Sequence, residues 1–422
     1  MKSEKMKIKG LHKFISEVND PKSGTTPDYR IQLELVKIKK SLLKKKKKKM
    51  YNTKKCIAKL CYIELYGCHV TFGYPQILTL LRSHDLSDNF FGCLGTVILF
   101  GDDDPYIMNL IPEMRRLLTD MGNDLGICFA LNAISCIDNA KLADSLGPTI
   151  ADIVIQPNVS EFARKKAMLT LAKIYQSAHQ YPSIDRITPK LSSFLLSKST
   201  GIVQCASTLI LSIIQSQPTS IIDFFPVVID QLYSIINNNE YDKETVRGKI
   251  PCPFLTTKLF RILNYKSDWT ESDKDKVESV VTTLLDLIDL LIGPPIPISD
   301  SPLTTIISRS SSSTTDNHSS YLPSYMIFSE ISNLAASVPF NISILNRIIN
   351  RFIGLIDHNS PSILGYQHTN FTNSSITSHT KKQEEGTPES NELIDPTIKE
   401  VDLSFFAIDK LNLIVRSVPL CS

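Results

Sequence analysis

Four apolar helical segments recur along the first half of the chain at nearly constant spacing, and this limits the fold more than any other feature. They lie at 91–100, 127–137, 163–175 and 202–214. Near the start of each stands a small residue: Gly92, Cys128, Ala167 and Ala206, separated by 36, 39 and 39 positions. Small side chains at matching places let neighbouring helices interdigitate closely. Shorter amphipathic segments, such as 105–119 and 141–154, run between them. Two helices in every 36–39 residues predict an all-α fold, a HEAT or armadillo-like α-solenoid. In such an array each repeat buries its apolar face only against its neighbours.

Composition agrees with helices and a core. Apolar residues make up 42 % and charged residues 21 % of 422. One Trp and 16 Gly argue against a propeller or a glycine-rich barrel, and nine Cys are too sparse for a disulfide scaffold. The start, MKSEKMKIKG, has no apolar core of a secretion signal. Reduced thiols in a cytoplasmic setting are therefore expected, and the sequons at Asn158, Asn317, Asn341, Asn370 and Asn373 carry no meaning there. The longest apolar stretches, Gly201–Gln215 and Val280–Ile292, are shorter than a membrane span, and Asp286 and Asp289 interrupt the second. Both read as core helices.

Local signals divide the chain further. Residues 1–50 form a basic N-terminal segment with a lysine loop, and 51–296 the helical-repeat solenoid. Residues 297–324, rich in Ser, Thr and Pro, read as a disordered insertion. Residues 325–365 return to helical periodicity, 366–398 are a second insertion, and 399–422 hold a terminal helix. Within the first segment, Ile31, Leu35, Ile38 and Leu42 mark an amphipathic helix over 29–43. A helix over Cys56–Tyr66 stops at Gly67, and Pro75 opens the next one. Asp88 is expected as the N-cap of the 88–100 helix, and Asp104 with Pro105 at the start of 105–119.

The net charge of +3 conceals an asymmetry. Residues 1–60 hold 19 Lys and Arg against 5 Asp and Glu, a balance of +14, so the other 362 residues carry −11. The lysine run Lys44, Lys45, Lys46, Lys47, Lys48 and Lys49 is followed by Lys54, Lys55 and Lys59. Such a segment is aimed at an anionic partner, or else is a solvated loop. Nucleic-acid binding favours basic residues interleaved with aromatics, and only Tyr51 accompanies these lysines. Clustered lysines suffice for an anionic membrane.

Motifs for catalysis are missing. The chain has no phosphate-binding GxxxxGK[ST], no GxGxxG after a strand, no HExxH and no GxSxG. Cys56, Cys61 and Cys68 are spaced C-x4-C-x6-C, which suits core packing better than a metal site. No enzyme, cofactor or metal is expected.

Three stretches carry a resemblance: KIKGLHKFISEVND (Lys7–Asp20), the block Tyr51–Phe100, and KIPCPFLTTKLFRIL (Lys249–Leu263). The middle block holds KLxxIxxxG…FG and then LSDxxxG, in order. Together they resemble the N-terminal trunk of the alpha-adaptin family of clathrin adaptor large subunits, in an apparently truncated form. The gamma-type Golgi and endosomal adaptins are the nearest competitor. A karyopherin-like transport scaffold with a basic nucleic-acid-binding tail is the reading outside the family.

The resemblance implies a non-enzymatic subunit of a heterotetramer with sigma, beta and mu partners. It implies binding to phosphoinositide membrane at plasma-membrane coated pits and endocytic vesicles, selection of cargo tails through the complex, and no nucleic acid. The family's lipid-binding positions correspond to Lys9, Lys54, Lys55 and Lys59, with Lys44 to Lys49 as an auxiliary basic loop. Thr53 and Cys56 depart from the family's usual lysine and aromatic. Asn19 stands where a cargo-facing arginine is usual. Lys54, Lys55 and Lys59 are expected to be surface positions whose replacement costs little stability.

Overall fold

The computed structural model describes residues 10–20, 24–43, 49–177, 186–217, 224–292 and 318–353. Among these residues the regular structure is helical, apart from one isolated antiparallel bridge between Arg247 and Ile250. The chain divides into two compact units, Met1–Ile222 and Asp223–Ser422.

The first unit contains α1 (Leu11–Val18), α2 (Pro27–Leu43), α3 (Lys49–Leu65), α4 (Tyr74–Leu81), α5 (Leu86–Leu99) and α6 (Ile107–Thr119). It continues with α7 (Asp124–Cys136), α8 (Ala140–Ile155), α9 (Glu161–Ser177), α10 (Thr188–Leu195) and α11 (Thr200–Ser216). The odd-numbered helices form one layer, with α3 on α5, α5 on α7, α7 on α9 and α9 on α11. A second layer runs alongside, with α4 beside α6 and α6 beside α8. Each repeat is a helix pair, and the predicted α-solenoid is the observed architecture.

The small residues sit where the packing needs them. Gly92, Cys128, Ala167 and Ala206 are all buried. A Cβ at Gly92 would lie 2.8 Å from Leu81 Cδ2 on α4 and 3.1 Å from the Leu81 backbone nitrogen. A Cβ at Gly95 would lie 2.9 Å from Ile57 Cγ2 on α3. The two glycines thus let α5 press against both neighbours.

Helix ends follow side-chain chemistry. Asn123 and Asn139 accept from the backbone N–H groups of Gly126 and Leu142 at 2.9 and 3.0 Å, capping α7 and α8. At α5 the expected cap, Asp88, is displaced by Asp85, which accepts from the Ser87 N–H at 3.1 Å. Asp88 lies in the first turn and is buried. The reason is that Asp85 precedes Leu86 and leaves Asp88 three positions inside, where it binds Ser83 Oγ at 2.7 Å. Gly67 ends α3 as expected, with φ +99°. The Gly67 and Cys68 N–H groups reach back to the Glu64 and Ile63 carbonyls at 2.9 and 3.1 Å, a Schellman closure.

Polar links join each repeat to the next. Lys166 binds Asn132 at 2.7 Å, Arg186 binds Asp152 at 2.7 Å, and the Asp138 N–H binds Asp102 at 2.9 Å. These partners are 34, 34 and 36 residues apart, about one repeat.

The second unit contains α12 (Phe225–Ile236), a 3-10 turn (Lys243–Thr245), α13 (Pro253–Leu263), α14 (Glu271–Ile292) and α15 (His318–Ala335). Residues 342–353 are a further helix. Helix α12 packs on α13 and α14, and α15 packs on both of those. Asp286 and Asp289, which interrupt the apolar run of α14, are held by Arg347 at 2.8 and 2.7 Å. No described helix is long and apolar enough to cross a membrane.

Expected boundaries move at several helices, and α6 begins at Ile107, past the expected start at Asp104 and Pro105. Helix α3 begins at Lys49, not near Cys56, and α15 begins at His318, inside the stretch predicted as an insertion. Residues 297–317, 366–398 and the terminal helix of 399–422 lie outside the described residues.

Candidate functional site

Of the basic residues singled out in the sequence, the described ones lie near the start of the first unit, where α1 and α2 both pack on α3. Lys9 and Lys44 to Lys48 lie outside the described residues, and Lys49 is the first residue of α3. Lys54, Lys55 and Lys59 all lie on α3, so they stand on a rigid helix. Lysine is a good helix former, which allows α3 to start before its apolar periodicity does.

The three lysines face different partners. Lys54 Nζ sits 2.8 Å from Asp88 and 3.3 Å from Asp85 at the start of α5. Burial alone would pull the Lys54 pKa down, but the hydrogen bonds and charges of Asp88 and Asp85 outweigh it and raise it above the usual lysine value. Lys59 is 8 % exposed; its ammonium lies 2.5 Å from Glu34 on α2 and 4.9 Å over the Phe14 ring of α1. Lys54 and Lys59 are therefore internal ties between helices, which corrects the expectation that both are freely replaceable surface positions. Lys59 is buried and Lys54 half-buried, so each calls for a counter-charge, and each has one.

Lys55 is placed otherwise. A Cβ at Gly10 would lie 2.7 Å from Lys55 Nζ, so the ammonium rests against the first residue before α1. Gly10 adopts φ +93° and offers no side-chain cap to α1, whose first turn has no acidic residue. The exposed N–H groups of a helix start carry partial positive charge. Lys55 adds a full charge beside it. Next to it an open cleft of about 220 Å³ is lined by Glu34, Lys37, Ser41, Asn52, Lys55 and Lys59 among others. Lys37 lies on α2, with its Nζ 3.6 Å from Glu34.

The other end of α1 is closed by Arg30 of α2. Its guanidinium donates to the carbonyls of Val18 at 3.0 Å and Asp20 at 3.1 Å, and to that of Glu17. Asn19 donates to the Tyr62 hydroxyl at 3.3 Å, and Phe14 meets the Tyr62 ring edge-on at 5.8 Å. Sequence reasoning missed Gly10, Glu34, Lys37, Arg30 and Asp85. A signal existed for Glu34, the one carboxylate inside the basic helix after its first turn.

Most of the described cysteines belong to the core, while Cys136 is exposed. Cys56, Cys61 and Cys93 are buried, and burial pushes the Cys61 and Cys93 thiols up to about 12. No group of three metal-ligating side chains occurs among the described residues.

The family described as the adaptin N-terminal region matches residues 28–362, from α2 through the last described helix. An AP-2 complex subunit alpha-2 from Dictyostelium discoideum is 27 % identical over 282 residues, covering 66 % of this chain and 28 % of that relative. The AP-2 complex subunit alpha of Schizosaccharomyces pombe is 24 % identical over 260 residues, covering 61 % of the chain and 29 % of the relative. The AP-1 complex subunit gamma-1 of the same yeast is 25 % identical over 277 residues, covering 65 % and 31 %. The matched region thus spans less than a third of each of these relatives. With its helix pairs, its repeat spacing and a match over most of its length, the chain belongs to the adaptin N-terminal family.

Proposed function

We propose that this chain is a non-enzymatic large-subunit trunk of a clathrin adaptor complex, of the alpha type. In this reading it assembles with sigma, beta and mu subunits, attaches to phosphoinositide membrane, and serves cargo selection in endocytic transport. It acts at the cytoplasmic face of plasma-membrane coated pits and needs no cofactor. The observation that carries the membrane contact is the start of α1, where Gly10 brings no side-chain cap, beside Lys55. A phosphorylated inositol headgroup is small and highly anionic, and helix N–H groups with an adjacent ammonium complement it. Lys55 is the direct contact, with Lys9 beside Gly10 in the sequence. Lys44 to Lys49 add long-range attraction. Lys54 and Lys59 shape the site by fixing α3 to α5 and α2.

Affinity purification of the chain from its source cell tests the assembly. Recovery of a small sigma-like subunit with beta and mu partners is the expected result. Recovery of GTPases and ribonucleoproteins without them would overturn the reading. The gamma-type alternative keeps a specific support, since the gamma relative is matched at similar identity over a similar span. The identity of the co-purified beta and mu subunits decides between the two. For the lipid contact, Lys55→Glu should abolish the preference of vesicle binding for phosphorylated inositides.

A further inference from the structure

Helix α2 has two apolar faces, and only one of them faces the core. Ile31 and Ile38 are buried against the rest of the unit. Tyr29, Leu33, Val36 and Leu43 are 55, 44, 52 and 76 % exposed. At about 100° per residue these four fall within an arc of about 80°, opposite Ile31 and Ile38. Lys40 lies within the same arc, and Lys37 and Lys39 flank it on either side. All three lysines are exposed. Glu34 is turned inward to Lys59. The outer face therefore has an apolar patch from Tyr29 to Val36, about 10 Å long, with Lys37 and Lys39 at its borders and Lys40 separating it from Leu43.

We propose that the outer stripe of α2 lies in the interface of an anionic bilayer, with Leu33 and Val36 at the centre of the inserted surface. The inference rests on the membrane reading above and adds an apolar component to it. An interfacial helix combines an apolar stripe with lysines whose stems reach up to the headgroups. Lys37 and Lys39 provide that border, Lys40 reaches out from the end of the apolar patch, and Tyr29 suits the boundary between apolar and wet layers. The charge of these borders matches acidic lipid, which is why a bilayer is favoured over a second protein.

The test uses the full chain and vesicles of phosphatidylcholine, with and without phosphatidylserine and a phosphorylated inositide. Leu33→Trp places an indole in the stripe, with Trp269, distant in sequence, as reference. Quenching of the new emission by brominated lipid in serine-containing vesicles is expected. Leu33→Gln with Val36→Gln should weaken binding to these vesicles about tenfold, with the inositide preference retained. That pair is exposed, and an unchanged circular dichroism spectrum verifies folding.

Four results would overturn the proposal. Unquenched emission with normal inositide binding would do so while the membrane reading stands. Failure of the wild-type chain to bind any vesicle would remove both. A blue-shifted new emission before vesicles are added would mean that another part of the chain covers the stripe. Loss of a dimer in the glutamine pair, without any change in vesicle binding, would make the stripe an interface between copies.

Discussion

Lys54 joins α3 to the start of α5 through Asp88 and Asp85, and Asp88 is itself buried. Removing the ammonium leaves a buried carboxylate without its counter-ion. Lys54→Met should therefore cost about 2 kcal/mol in chemical denaturation. Its pH dependence follows from the two shifts. Although burial opposes it, the Ser87 N–H and then Lys54 hold the Asp85 carboxyl below its ordinary 3.8. That stabilisation is present above about pH 4 and is lost as pH falls through the lowered folded value. The raised Lys54 value gives stability that is full below 10.5 and is lost as pH rises through the folded value. The gap between wild type and Lys54→Met should thus be widest between about pH 4 and 10 and close on both sides. A gap that stayed constant into acid would deny the ion pair its role. Lys59→Glu sets a carboxylate against Glu34 and should be more disruptive than Lys55→Glu, whose side chain lines the open cleft beside Gly10. Thermal melting of the two variants compares them directly.

Among the elements, α5 approaches its neighbours closely at two glycines, Gly92 and Gly95. Gly92→Ala would drive a Cβ against Leu81, including its backbone, and should cost about 1–3 kcal/mol. Gly101→Ala, with nothing within 4 Å, should be close to neutral. Equal melting temperatures for the two would contradict the packing of α4 on α5. The same elements show how far the sequence could be read. The positions of α5, α7, α9 and α11 were legible because buried helices must repeat small residues where their backbones approach. The starts of α3 and α5 were not. Lys49 to Lys55 have no apolar periodicity, so propensity alone extends α3 through them, while Asp85 and Asp88 are equally good caps by type. At the site, the lysines were legible by charge. Their division was not, because Asp85, Asp88 and Glu34 come from other helices, and only packing brings them to Lys54 and Lys59.

Across the whole molecule, the division into two compact units predicts unfolding in more than one step, as helical repeats commonly allow. Leu60 in α3 and Leu259 in α13 are fully buried, one in each unit. Leu60→Ala and Leu259→Ala should each cost about 2–5 kcal/mol and shift different parts of the denaturation curve. A single transition moved equally by both would show one cooperative body. The polar links of the first unit have a further consequence. Because Asp102, Asn132 and Asp152 each reach a partner only one repeat onward, no described repeat in that stretch waits for a distant stretch of chain to complete these links. A nascent chain leaving the ribosome can therefore lock each helix pair as soon as the next has emerged, so synthesis itself supplies the order of assembly.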